Sequence, residues 1–288
     1  MPPFRQSFFD LPGPETSLRL AYTDWGESDN PEILVCVHGL TRCGRDFDTL
    51  AQALAGHFRV ICPDIVGRGL SDWLPDPTAY GVATYAQHML ALLSHLGATQ
   101  VDWLGTSMGG LIGMALAARP EGPIRRLILN DIGPEIPGEA LARIAAYVGF
   151  DERWPSLEAA LSDLQQVFAP FGKLSPQQWL QLLRPSLVQD EQGLWRTHYD
   201  PRIATPLAAI DPKVNTDLWA LYDAITCPTL AIHGADSDLL TREVWLAMAQ
   251  RGPGATLAEI PGVGHAPTFL DEAQIAIVRD FLLGLKLI

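Results

Sequence analysis

The chain is short of basic residues and of cysteine and has no long apolar run, and each shortage excludes a class of function. Lysine and arginine number 20 against 33 for aspartate and glutamate, giving a formal net charge of -13 over 288 residues. Such a surface repels phosphate backbones and anionic lipid headgroups at long range, so neither a nucleic-acid nor a membrane partner is expected. The four cysteines, Cys36, Cys43, Cys62 and Cys227, show no Cys-x-x-Cys spacing, and three lie in or beside apolar strand-like runs. They read as buried reduced thiols, and no metal is expected. No stretch approaches the roughly twenty apolar residues of a membrane span. The amino-terminal MPPFRQSFFDLPG has one basic residue and lacks the sustained apolar region of a secretory signal. Together with unpaired thiols this favours a soluble cytoplasmic protein.

What is present is a 48% hydrophobic chain, enough for one large core or for one domain carrying an insertion. Phe4 to Leu11 and Leu18 to Trp25 flank the turn-forming LPGPETS and predict an antiparallel pair at a sheet edge. Short continuous apolar runs follow at Ile33 to Val37, Val60 to Cys62, Val101 to Leu104, Leu127 to Leu129 and Thr229 to Ile232. Their β-branched content predicts strands covered on both faces. Helical patterns lie between most of them, at Asp46 to Ala55, Thr84 to Leu96 and Leu111 to Ala118. The alternation predicts an α/β fold, a mostly parallel central sheet flanked by helices.

From Gly133 to Thr226 the alternation stops. Amphipathic stretches at Leu141 to Val148, Leu157 to Phe168 and Gln177 to Leu183 are broken by Pro and Gly, with no convincing strand. The expected organisation is a core from 1–132 and 227–288, with a helical insertion at 133–226. A helix from about Arg242, a strand at Thr256 to Ile260 and a helix from Glu272 to Leu285 close the chain.

Functional groups in parallel sheets collect at the carboxyl ends of strands. In VDWLGTSMGGL, Ser107 stands at a strand-to-helix bend with glycines two positions to either side, a pattern that exposes a nucleophilic hydroxyl. VHGLTRCG places Leu40 in a loop just after a strand, where its amide could donate to a developing oxyanion together with that of Met108. His38, at a strand end, suits a structural imidazole bonded to backbone. PDIVGRGLSDW reads as a tight turn organised by Asp64. HGADSD offers Asp236 and Asp238 as candidates to orient a histidine, and the loop PGVGHAPTF carries His265. Ser, Asp and His then occur in the chain order of a nucleophile–acid–base triad.

These segments, HG at the first loop, DxxGxGxS as PDIVGRGLS, GTSMGG, HGADSD and GHAP, resemble the α/β-hydrolase superfamily over essentially the whole chain. The phrase LNDIGPEIP is similar to bacterial esterase-like members, and the insertion resembles their helical cap. The resemblance implies Ser107 as nucleophile, His265 as general base and acid, and an aspartate as orienter. Many relatives carry that acid three residues after the loop glycine, where this chain has Ser237. The Ser-Asp-Leu-Leu wording favours Asp238, with Asp236 and then Asp131 as alternatives. The implied reaction is cleavage of a small or medium carboxylic ester through an acyl-enzyme, with no cofactor. A carbon–carbon bond hydrolase, a lactonase or a thioesterase would use the same triad, and a ligand sensor retaining it is the non-enzymatic alternative. Phe47, Tyr147, Phe168, Phe171, Trp179 and Trp195 are candidates to line the substrate pocket. Monomer and homodimer are both compatible with the pattern.

Overall fold

The computed structural model describes residues 4–11 and 17–285. The chain opens with an antiparallel pair, β1 (Arg5–Leu11) and β2 (Leu18–Trp25); residues 12–16 of the expected turn lie outside the described residues. Then come β3 (Ile33–Val37), α1 (Asp48–Leu54), β4 (Arg59–Pro63), α2 (Val82–His95), β5 (Val101–Thr106), α3 (Met108–Ala117) and β6 (Ile124–Asn130). The segment between β6 and the next sheet strand, where the insertion is expected, holds β7 (Glu135–Ile136), α4 (Gly138–Ala145), α5 (Leu157–Val167), α6 (Pro176–Leu183), β8 (Leu187–Gln189), β9 (Trp195–Thr197), β10 (Thr216–Asp217) and α7 (Trp219–Asp223). The chain finishes with β11 (Thr229–Gly234), α8 (Arg242–Met248), β12 (Thr256–Ile260) and α9 (Glu272–Leu282).

Eight strands form one sheet in the order β1-β2-β4-β3-β5-β6-β11-β12. Strand β2 pairs antiparallel with both neighbours, and every other pairing is parallel. The apolar runs are continuous because both faces are covered. In β3, Ile33, Val35 and Val37 enter one core, while Leu34 and Cys36 enter the other. Trp103, Leu127 and Leu129 belong to the first core, and their chain neighbours Leu104 and Ile128 to the second. Period-two alternation thus divides each strand between two cores, with no polar face to interrupt the sequence.

The insertion adds no strand to this sheet but is not free of strands. Two small antiparallel pairs, β7 with β10 and β8 with β9, stand where none was expected. Strands of two or three residues are too short to carry a period, so the sequence pattern misses them. Part of this segment forms a third core, in which Trp154, Leu164, Trp179, Leu182 and Leu183 are buried together, while Ile136, Ile144 and Val148 pack into the first core of the sheet. The segment's helix starts follow local chemistry: Ser156 caps α5 through Ala159 N–H, and Ser175 forms a reciprocal capping box with Gln178 ahead of Pro176. Among the described residues no helix is long and apolar enough to cross a membrane.

Candidate active site

Strand register builds the site. Thr106 on β5 pairs with Asn130 on β6, so Ser107 and Asp131 are the first residues beyond two adjacent parallel strands. Ile232 on β11 pairs with the same Asn130. The backbone amide of Ser107 donates to Asn130 O (3.0 Å) and that of Asp131 to Ile232 O (2.9 Å). Both residues hold positive φ, 53° and 52°, conformations that L-residues seldom adopt and that turn their side chains up from the sheet edge.

The bend at Ser107 depends on its glycines. A Cβ on Gly105 would lie 2.2 Å from the Gly109 backbone, and one on Gly109 would lie 2.0 Å from Val37 O. Only hydrogen permits α3 to start this close to β5 and β3. Ser107 O then accepts from Gly110 N and Leu111 N, which sets Ser107 at the amino end of α3, where the helix dipole favours negative charge.

Ser107 Oγ lies 2.9 Å from His265 Nε2, and His265 Nδ1 lies 2.7 Å from Asp131 Oδ2. Asp131 is fully buried and receives two further donors, Gly234 N–H on Oδ1 (2.8 Å) and Ser237 Oγ–H on Oδ2 (2.6 Å). A carboxylate bound by three donors is fixed in position, and it selects the tautomer in which Nδ1 carries the proton and Nε2 can accept from serine. The loop bearing His265 is tied to the strand ends by Asn130, whose Nδ2 donates to Thr106 Oγ1 and to Pro267 O, both at 2.9 Å.

The carboxylate that reaches His265 is that of Asp131, which the sequence pattern ranks behind Asp238 and Asp236. Asp238, the favoured candidate, makes no hydrogen bond to His265 and instead forms a bidentate pair with Arg143, Nε–Oδ2 and Nη2–Oδ1 both 2.7 Å. Asp236 is exposed and contributes only its backbone amide, bonded to Val263 O. Ser237, at the position where many relatives carry the acid, instead donates to Asp131. The physical reason that Asp131 rather than Asp238 makes this contact is register: β6 lies between β5 and β11, so its next residue already reaches the imidazole.

The amides of Leu40 and Met108 have no acceptor among the described residues, and both residues line space beside Ser107. The loop holding Leu40 is braced from beneath. His38 Nδ1–H donates to Gly39 O (2.7 Å), and Nε2 accepts from Ile65 N–H (3.0 Å). Burial pushes the pKa of this imidazole down to about 3, so it is neutral, in keeping with an acceptor nitrogen facing an N–H. Asp64 accepts from Gly44 N–H and Leu70 N–H, as a turn organiser should. Arg68 was not foreseen. It is fully buried, donates to Leu40 O and Val66 O at 2.8 Å and to Tyr85 Oη at 2.9 Å, and approaches Met108 Sδ at 3.7 Å. Among the described residues no carboxylate forms an ion pair with it.

Two arms of open space, each ≈ 790 Å³ with its solvent-open part, meet at Ser107. One contains His265, Arg42, Arg143, Phe47 and Tyr147 together with Phe168 and Phe171, whose rings stack at 5.0 Å. The other is almost wholly apolar, with Met108, Leu111, Ile136, Leu141 and Leu207 among its walls. Four of the six aromatic candidates therefore reach the space beside Ser107. The other two do not: Trp179 is buried in the third core, and Trp195 lies under Arg184 beside a different groove. Trp179 lies on the buried face of α6, and the sequence does not say whether such a face meets substrate or neighbouring helices; Trp195 lies on β9, outside any helical pattern. Among the described residues no three His, Cys, Asp or Glu side chains are grouped so as to hold a metal ion.

The family model for the alpha/beta hydrolase fold matches residues 32–272, and the chain belongs to that family of enzymes. It is 47% identical over 289 residues to the 3-hydroxybutyrate-oligomer hydrolase of Cupriavidus necator, covering 97% of this chain and 98% of that protein. It is 30% identical to the 2-hydroxymuconate semialdehyde hydrolase of Pseudomonas putida, over 78% of this chain and 76% of the relative. A crystal structure of an alpha/beta hydrolase from Novosphingobium aromaticivorans superposes with a TM-score of 0.86 at 36% identity, covering 98% and 99% of the two chains.

Proposed function

We propose that the protein hydrolyses short ester oligomers of a 3-hydroxy acid through an acyl-enzyme on Ser107. The observation that carries this reading is the continuous chain Ser107 Oγ, His265 Nε2, His265 Nδ1, Asp131 Oδ2, with links of 2.9 and 2.7 Å. The substrate class is supported by the 47% identical relative and by the two arms, which give an oligomer room on both sides of a scissile ester.

In this mechanism Ser107 Oγ attacks the ester carbonyl as its proton passes to His265 Nε2. Asp131 holds the resulting imidazolium. The carbonyl oxygen becomes an oxyanion bound by the amides of Leu40 and Met108, each worth on the order of a hundredfold to a thousandfold in rate. The carbon–oxygen bond to the leaving alcohol then breaks, and His265 returns its proton to that alkoxide. A water molecule, deprotonated by His265, attacks the acyl-serine; the acyl–Oγ bond breaks, His265 returns the proton to Ser107 Oγ, and the acid is released. The segment between β6 and β11 acts as a cap: its Ile144, Tyr147, Phe168 and Phe171 line the space beside Ser107 and make it largely apolar, which limits the water that reaches the acyl-enzyme.

The test is release of 3-hydroxybutyrate from its synthetic dimer and trimer by the purified protein and by Ser107→Ala. The reading expects turnover by the first and none by the second. It fails if the wild-type protein leaves both oligomers intact or if Ser107→Ala still cleaves them.

A further inference from the structure

The arm that contains His265 must take the leaving alcohol, because His265 is the group that protonates it. The apolar arm, which among the described residues does not include His265, then takes the acyl half. In an ester oligomer of hydroxy acids the two halves differ in charge. The acyl half ends in a neutral hydroxyl, whereas the leaving half is itself a hydroxy acid with a free carboxylate at its far end. A negative group is thus expected in the arm with His265, on a protein whose net charge of -13 disfavours anions.

That arm has two arginines among its described lining residues. Arg42 is committed: its side chain is 6% exposed, holds Asp46 in a bidentate pair, and donates to Leu182 O at 2.6 Å. Arg143 is not. It stands on α4, lines the arm with His265, and pairs with Asp238 in the loop after β11, with the two side chains 43% and 54% exposed. Water screens an ion pair this exposed, which lowers the cost of exchanging one carboxylate for another on the guanidinium. Its bidentate fork is the geometry a substrate carboxylate would present in place of Asp238.

We infer that Arg143 reads the terminal carboxylate of the leaving hydroxy acid, with Asp238 as its counter-ion while the site is empty. This specificity rests on the oligomer-ester reading. It accounts for Asp238 in the loop after β11, which does not touch His265, and it makes the enzyme prefer free-acid oligomers to capped ones. Substrate enters by exchanging one carboxylate for another on the same guanidinium, so binding also loosens a tie between the insertion and the core.

The experiment compares kcat/KM for cleavage of the internal ester in the free-acid 3-hydroxybutyrate dimer and in its methyl ester, product by product. Wild-type protein should favour the acid by about tenfold, and Arg143→Gln should bring the ratio close to one, with Arg143→Lys between them. Asp238→Asn, which removes the competing carboxylate, should raise the ratio above wild type. Because each ratio is taken on one protein, losses of folded enzyme cancel. A ratio unchanged in Arg143→Gln, or a wild-type enzyme that cleaves both dimers equally well, overturns the inference and leaves the oligomer reading standing. Turnover of a p-nitrophenyl ester with neither dimer cleaved overturns both.

Discussion

Ser237 donates a 2.6 Å hydrogen bond to Asp131 Oδ2, the same oxygen that receives His265 Nδ1. A residue at the loop position where many relatives carry the acid thus hydrogen-bonds a carboxylate that comes from the neighbouring strand. Loss of one hydrogen bond to a charged group costs about 1.5–3 kcal/mol. Ser237→Ala should therefore lower kcat by about tenfold or more while changing KM little, as measured by steady-state kinetics on p-nitrophenyl butyrate. In the Asp131→Asn background, Ser237→Asp should restore part of the lost rate, because position 237 already lies within one hydrogen bond of the imidazole's partner. No restoration would mean that the loop cannot present a carboxylate to His265.

The contrast between Ser107 and Asp131 shows what the sequence discloses. Ser107 is legible because its bend is local, an apolar strand, a glycine on each side and a small-residue helix within eleven residues. His265 is legible from its glycine-rich loop before the last helix. Asp131 depends on β6 lying between β5 and β11, a register that joins residues more than a hundred positions apart. Asp238 satisfies the local pattern of an acid loop equally well, and only its pairing with Arg143 distinguishes it. The central strands could be read from their two-sided burial, whereas the short pairs of the insertion and the buried Arg68 leave no periodic trace.

His38 should make stability depend on pH in the acid range. Its pKa is about 3 in the folded chain against an ordinary 6.5, so between these values the unfolded chain binds the extra proton. The stabilisation is complete above pH 6.5 and is lost as pH falls toward 3. Urea denaturation of the wild-type protein should show stability declining over this window, and His38→Gln should flatten that decline. Parallel curves for the two proteins would assign the acid sensitivity to other groups.

Arg68 anchors the loop that carries the Leu40 amide by donating to Leu40 O at 2.8 Å, and it stands against Met108 Sδ. Arg68→Met keeps the volume and removes the donors, leaving buried oxygens without partners. At about 1.5–3 kcal/mol for a hydrogen bond from a charged group, kcat should fall by about tenfold or more. Affinity for a boronic acid that mimics the tetrahedral intermediate should fall with it. Lower kcat with unaltered boronate binding would separate Arg68 from the oxyanion site.

The acyl-enzyme itself should be visible. Mixing the protein with p-nitrophenyl butyrate should give a burst of nitrophenolate if deacylation is the slower step, and intact-mass analysis of a quenched sample should show the acyl group on Ser107. Ser107→Ala should give neither signal.

The most direct measurement is kcat on p-nitrophenyl butyrate for Asp131→Asn and Asp238→Asn, side by side. An acid that fixes the tautomer of the catalytic histidine is worth about ten-thousandfold when replaced by its amide. The Ser107–His265–Asp131 arrangement predicts a loss of that order for Asp131→Asn and, for Asp238→Asn, only a small fraction of it. The opposite ranking, with Asp238→Asn carrying the large loss, would contradict it.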